Sequence, residues 1–204
     1  MPVVVEGIVG LRKALRNYAP DLQKQMDTEI RLAMKEIIKD ARSRVPDTTR
    51  LYNWQDTGKE RKSRIGRERA FPAYNPSLIR RGMTYSLGKQ RRNRAGFVSL
   101  FTLFNKSAIG AIVETAGRAN PYGSSRSQSN NPDAGRNFNI TLSNQVGALR
   151  SYKGNNDQKT RGRLLFAAYA DNQGRALDAI MKSIDKATQQ FNARLQADKT
   201  KVAA

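Results

Sequence analysis

Asp21–Val45 reads DLQKQMDTEIRLAMKEIIKDARSRV, and its apolar residues Leu22, Met26, Ile30, Ala33, Met34, Ile37, Ala41 and Val45 return at steps of three and four. That spacing draws one stripe along a helix of 3.6 residues per turn. Pro20 and Asp21 suit a first turn, where a missing N–H costs nothing and a carboxylate meets the positive end of the dipole. Arg42 and Arg44 suit the last turn, and Pro46 blocks continuation. The stripe needs a partner, and the rest of the chain is read by how it supplies one.

A second helix is predicted over Gly174–Ala197, where Ala176, Leu177, Ile180, Met181, Ile184, Ala187, Phe191 and Leu195 repeat the three-four rule after a lead-in of Leu164, Leu165, Phe166 and Tyr169. The final ADKTKVAA is small and charged and is expected to fray. Near the start, Ile8, Leu11, Leu15 and Tyr18 are spaced as in a short helix that follows a β-branched run, Val3–Val5. Between the helices, FVSLFTLF (97–104) and AIGAIVET (108–115) read as two strands of a hairpin, and FNITL (138–142) alternates like a third. The polar stretch through SYKGNNDQKTRG reads as a loop. The expectation is an α+β fold: one domain over 1–204, an antiparallel sheet flanked by two long helices, with long loops at 46–96 and 117–137.

Charge sets the function class. Lys and Arg number 37 against 17 Asp and Glu, a net of +20 with pI near 10.7. Solubility does not require so large an imbalance, which implies a polyanion partner. Half of it lies in 36 residues: Lys59, Arg61, Lys62, Arg64, Arg67, Arg69, Arg80, Arg81, Lys89, Arg91, Arg92 and Arg94 face only Glu60 and Glu68, a net of +10. Phe71, Tyr74 and Tyr85 are interleaved, while Pro72, Pro76, Gly66, Gly82 and Gly88 rule out a long helix. An extended basic arm with small β elements can neutralise phosphates and stack on bases or sugars. The bland alternative is a solvated charged face, or an arm that pairs with an acidic protein surface. Nothing in the arm has the form of a zinc finger, an RNP motif or a helix-turn-helix, so contact with the nucleic-acid backbone is expected rather than base reading. A second arm, GRANPYGSSRSQSNNPDAGRN, is rich in Ser, Asn and Gly and has almost nothing to bury.

Catalysis has little to draw on. The chain has no Cys and no His, so disulfides, thiolates and the usual general base and metal ligand are missing. A metal-dependent nuclease could work with Asp, Glu and Lys. Glu114 is the one acidic residue inside an apolar run, and Asp56 and Asp133 sit in turns, but no second carboxylate accompanies any of them. Glu114 is therefore read as a structural hydrogen-bond or ion-pair partner. GSSRSQS lacks the Walker lysine and its strand-to-helix context. No catalytic residue, metal or cofactor is assigned. No apolar run approaches the ~20 residues of a membrane span, and MPVVVEG lacks the form of a secretory signal, so synthesis in the cytoplasm is expected.

Five blocks in order, VEGIVGLRKAL, RLAMKEIIKDARSRVP, DTG, AIGAIVETAGRANP and RLLFAAYADNQGRALDAIMKSIDKA, resemble the tail-completion or head-to-tail joining proteins of long-tailed double-stranded-DNA phages. In that family a helix ends at a proline shortly before a Thr-Gly, a strand carries a Glu followed by Gly, and a segment like PFLRPA opens the last helix. Pro46, Thr57, Gly58, Glu114, Gly117 and the run Leu164–Ala168 occupy those places. The basic arm is longer than the family pattern, and the last motif lacks its prolines. The resemblance implies a non-enzymatic virion subunit of the connector or neck. It would close a homo-oligomeric ring, six-fold, around the DNA channel at the head–tail junction, with connector, tail-terminator or tail-tube proteins as neighbours. Arms that order on assembly would link its subunits. The reading from charge alone is a stand-alone basic protein that binds nucleic acid without sequence specificity.

Overall fold

The computed structural model describes residues 7–51, 54, 73–87, 101–118, 133–151 and 160–202. In chain order these form α1 (Gly7–Tyr18), α2 (Pro20–Ser43), α3 (Pro76–Gly82), β1 (Met83–Leu87), β2 (Phe101–Asn105), α4 (Ala108–Thr115), α5 (Ala134–Val146), β3 (Arg150–Ser151), β4 (Thr160–Gly162) and α6 (Leu165–Val202). The class is mixed helix and strand, as expected. β1 pairs with β2, and β3 pairs antiparallel with β4 in the register Arg150↔Gly162 and Ser151↔Thr160. None of the described helices is long and apolar enough to cross a membrane.

The chain divides into two compact units, one of residues 1–36, 85–102 and 172–204, the other of 37–84 and 103–171. In the first, α1 and the early turns of α2 bury Leu11, Ala14, Leu15, Leu22, Met26, Ile30 and Met34, and α6 contributes Ala176, Ile180, Ala187 and Phe191 to the same core. Cross-helix ion pairs flank it: Arg12 with the part-buried Asp27, Lys186 with Glu29 at 3.2 Å, and Arg194 with Asp21 at 2.6 Å. The Arg194 guanidinium, donating to the Asp21 carboxylate at close range, holds that carboxyl below its ordinary value.

In the second unit Ile37, Ile38, Ala41 and Val45 from the end of α2 are buried with Ile79, Met83, Ile109, Val113, Leu142, Leu164 and Ala168. Polar side chains fasten this core. Arg42 donates to the Met83 carbonyl at 2.9 Å, and Arg44 donates to both Asp40 and Asp171 at 2.9 Å. Trp54 is buried, meets Tyr74 edge-on with ring centroids 5.3 Å apart, and lies 5.2 Å from Phe138. The Tyr74 hydroxyl donates to the Pro46 carbonyl at 2.6 Å.

Several expectations need correction. AIGAIVET is helix α4, not a strand. The Asn-Lys-Ser before it is a cap and not a hairpin turn: the Ser107 hydroxyl accepts from Gly110 N–H, and Asn105 Oδ1 accepts from Ser107 N–H at 2.8 Å. FNITL lies inside helix α5. Phe138 and Leu142 are four apart, a spacing that period two and period 3.6 share, and it is Ile140, 46 % exposed, that tells them apart by pointing away. Of the three expected strands only the Phe97 segment keeps its type, as Phe101–Asn105, with 97–100 outside the described residues. Among the described residues there is accordingly no three-strand sheet for the two long helices to flank. The second long helix starts at Leu165 and passes through Gly174 to Val202, 38 residues in all. A Cβ at Gly174 would meet nothing within 4 Å, so no close packing demands the glycine there, and neighbouring turns carry the helix through its weak propensity. The stretch read as a loop near 150–162 also contains the short β3–β4 ladder.

Ile37 is 1 % exposed among apolar neighbours. Ile37→Asp is expected to lower stability by more than about 3 kcal/mol, because an unpaired carboxylate would enter that core. A chemical-denaturation midpoint equal to the parent's would refute this account of the second unit.

Candidate nucleic-acid interface

Of the twelve basic positions singled out between 59 and 94, Arg80 and Arg81 are among the described residues; Lys59, Arg61, Lys62, Arg64, Arg67, Arg69, Lys89, Arg91, Arg92 and Arg94 lie outside them. Arg80 is committed to the fold. Its guanidinium donates to the Val45 carbonyl at 2.6 Å, past the end of α2, and pairs with Asp47 at 2.5 Å. Arg81, one residue on, is exposed. The two differ because α3 turns Ile79 inward to full burial, which sets Arg80 along the body and Arg81 outward. Asn75 caps that helix by accepting from Leu78 N–H at 3.0 Å, and Pro76 occupies its first turn.

The long helices do not carry the excess charge. Together α1, α2 and α6 hold 14 Lys and Arg against 9 Asp and Glu, a net of +5 out of +20. The remaining +15 lies in the segments between and around them.

The Glu114 carboxylate accepts three hydrogen bonds. It sits in the last turn of α4 and takes three backbone N–H groups at the start of α6: Leu164 and Leu165 on Oε2, both at 2.9 Å, and Phe166 on Oε1 at 3.0 Å. A helix leaves its first N–H groups without partners and presents them as a positive pole, so an anion fixed there satisfies both hydrogen bonding and the dipole. Gly162 lies so close that a Cβ on it would collide with Glu114 Oε1. Beside it Arg163, 2 % exposed, donates to the Ala116 carbonyl at 2.5 Å and to the Ser143 hydroxyl at 3.1 Å. Burial pushes the Arg163 guanidinium below its ordinary value, and the Glu114 charge works against that shift. One half-buried anion therefore joins α4 to α6 while one buried cation joins the same junction to α5.

Sequence reasoning weighed Glu114 as a lone carboxylate on a strand and missed Arg163 altogether. A signal was present. The residues before α6, Gly162, Arg163 and Leu164, include no Ser, Thr, Asp or Asn to cap it locally, so the acceptor had to be remote. Among the described residues no three of His, Cys, Asp and Glu come together in a way that could hold a metal ion. No family model, no curated protein and no solved structure matches this chain.

Glu114→Ala is expected to cost about 3 kcal/mol, since three donors at a charged acceptor are left unpaired, and Glu114→Gln less, since one carbonyl oxygen remains. Denaturation curves with hydrogen exchange at Leu164–Phe166 check this; amides that stay equally protected in the Ala variant would contradict it. Tyr74 supplies a pH test, because burial pushes its phenol up to about 12, above its ordinary value of 10.0. Between those values the unfolded chain loses the proton and the folded one keeps it, so stability is full below about pH 10 and falls as pH rises towards 12. Tyr74→Phe should remove that part of the slope, as read from melts at about pH 9 to 12.

Proposed function

We propose that the chain is a non-enzymatic structural subunit of a phage virion, at the junction of head and tail, which closes a ring around the DNA channel. The observation that carries this reading is the meeting of separate blocks of the resemblance. Glu114 from AIGAIVETAGRANP and the Leu164–Phe166 amides from RLLFAAYAD, some fifty positions apart, are bonded to each other. The Glu stands on helix α4 and not on the strand of the family pattern, but its bond to the segment that opens the last helix gives the two blocks an architectural reason to occur together. The charge supports the same reading independently. A subunit that lines a DNA channel needs Lys and Arg and no base code, and the excess here lies outside the long helices, in segments that would face such a channel or an acidic neighbouring ring.

The second reading, a stand-alone nucleic-acid-binding protein, draws on the net +10 of residues 59–94. Both give backbone contact that is steeply salt-dependent and indifferent to sequence; they differ in where the protein resides. A labelled antibody against the chain, applied to purified particles of its source, is expected to mark the head–tail junction. Absence from particles would reject the virion reading and leave the second. Replacing Arg91, Arg92 and Arg94 together by Glu should lower recovery of joined heads and tails while the purified variant keeps the parent's circular-dichroism melt. Normal infectivity in that variant would mean that the basic segment is a solvated face.

A further inference from the structure

α2 has a row of cations that the fold does not use. Lys24, Arg31 and Lys35 are all exposed, and they follow one another at steps of seven and four residues, two turns and then one, so they stand on one face of the helix about 10 Å and 6 Å apart along its axis. Thr28 fills the missing turn in the row, and its hydroxyl is turned back to donate to the Lys24 carbonyl at 2.8 Å. No acidic residue of α2 balances the row. Asp21, Asp27 and Glu29 are each engaged by a cation from elsewhere in the first unit, Arg194, Arg12 and Lys186 respectively; Asp40 pairs with Arg44, and Glu36 projects about a third of a turn away from the line. Among the described residues Lys24, Arg31 and Lys35 make no ion pair.

The opposite arrangement occurs in the same unit. On α6, Arg175, Asp178, Lys182 and Asp185 are also exposed and also follow three-four steps, but their signs alternate and cancel. That is the pattern of an ordinary solvated helix face. The row on α2 is of a single sign because Asp21, Asp27 and Glu29 are spent inside the unit and Glu36 lies off its face.

We infer that the row Lys24, Arg31 and Lys35 is a contact surface for the phosphodiester backbone of nucleic acid. This goes beyond the proposed function, since it names a surface on the folded helices and not the 59–94 segment, and it holds whether or not the chain belongs to a virion. Two other anionic partners fit less well. An anionic membrane would require the apolar face of the helix for insertion, and that face, Leu22, Met26, Ile30 and Met34, is fully enclosed in the core. An acidic protein would be held by a desolvated apolar centre with charges at its rim, whereas Leu32, 54 % exposed, is the only large apolar side chain exposed on this part of α2 among the described residues. A polyanion backbone asks only for a line of unpaired cations, which release its counterions on contact.

The test compares two charge-matched double variants of the full chain, Arg31→Gln with Lys35→Gln on α2 and Arg175→Gln with Lys182→Gln on α6. Binding to a duplex, to a single strand of unrelated sequence, and to vesicles of anionic lipid is measured across a series of salt concentrations. The α2 variant is expected to bind both nucleic acids more weakly and to flatten the slope of log affinity against log salt by nearly two, at about 0.9 for each phosphate no longer neutralised on duplex and somewhat less on single strand. The α6 variant should keep the parent's slope. Equal flattening in both would show that only net charge matters, and an unchanged α2 variant would show that the row is solvated; either result overturns the inference. Vesicle binding that falls in parallel with nucleic-acid binding overturns it as well. The triple replacement at Arg91, Arg92 and Arg94 reports separately on the 59–94 segment, so the failure of one reading is distinguishable from the failure of the other.

Discussion

The second unit depends on an anion placed where a helix needs one. Glu114 is supplied by α4, and its oxygens satisfy the first three free N–H groups of the α6 region, so two elements far apart in sequence end on the same carboxylate. Much else follows from keeping that carboxylate in position. Gly162 must lack a Cβ to let it approach. α4 must hold its own start, which it does through Ser107 and Asn105, and Asn105 in turn reaches α3 by donating from Nδ2 to the Ile79 carbonyl at 3.3 Å. Gly82 and Gly110 both leave room for the Asn105 side chain, where a Cβ would collide with it. A chain of short polar contacts thus runs from α3 through α4 to the start of α6, with apolar packing of Ile79, Ile109, Val113 and Leu164 beneath it.

Burying charge is costly unless it is paired and hydrogen-bonded, and here the cost is distributed. Glu114 meets amide dipoles instead of a single cation, while Arg163 meets a carbonyl and a hydroxyl. The Arg163 Nε finds no partner, so the arrangement is not fully satisfied. Such a junction adds less to stability than an apolar one of the same volume could, but it fixes direction: only one orientation of α6 offers its N–H groups to Glu114. The first unit follows a different logic. Its ion pairs sit at the edge of an apolar core, and they remove acids from the outer surface of α2 as much as they hold helices together.

Long, regular signals were legible in the sequence. The α2 stripe, its Pro20 and Asp21 start and its end before Pro46 predicted Asp21–Val45 where the helix is Pro20–Ser43, since 24 residues give the 3.6 period many chances to declare itself. The short apolar runs were not legible. AIGAIVET is eight residues of β-branched and small side chains, and its helical state rests on a serine cap and a cavity shaped for Gly110. FNITL offers only three apolar residues, too few to separate two periods. Partnerships over fifty positions left no local mark, although the lack of a cap before Leu165 was itself a sign. Of the candidate site, the charge count was plain, yet the count could not tell that Arg80 is structural and Arg81 is not, because that depends on which side of a single helical turn faces Ile79.

Trp54 and Tyr74 are joined directly: Tyr74 N–H donates to the Trp54 carbonyl at 2.9 Å, and their rings are in contact. The two ends of the nineteen-residue stretch between them, which holds six of the twelve cations, are therefore fixed to each other. Closing a loop costs an amount that grows only with the logarithm of its length, and doubling it adds about 0.6 kcal/mol. A change in the length of that stretch is therefore thermodynamically cheap as long as the contact that closes it is kept. The Trp54–Tyr74 contact acts as a clasp: the residues it brackets can change in composition without touching the packing that holds their two ends together.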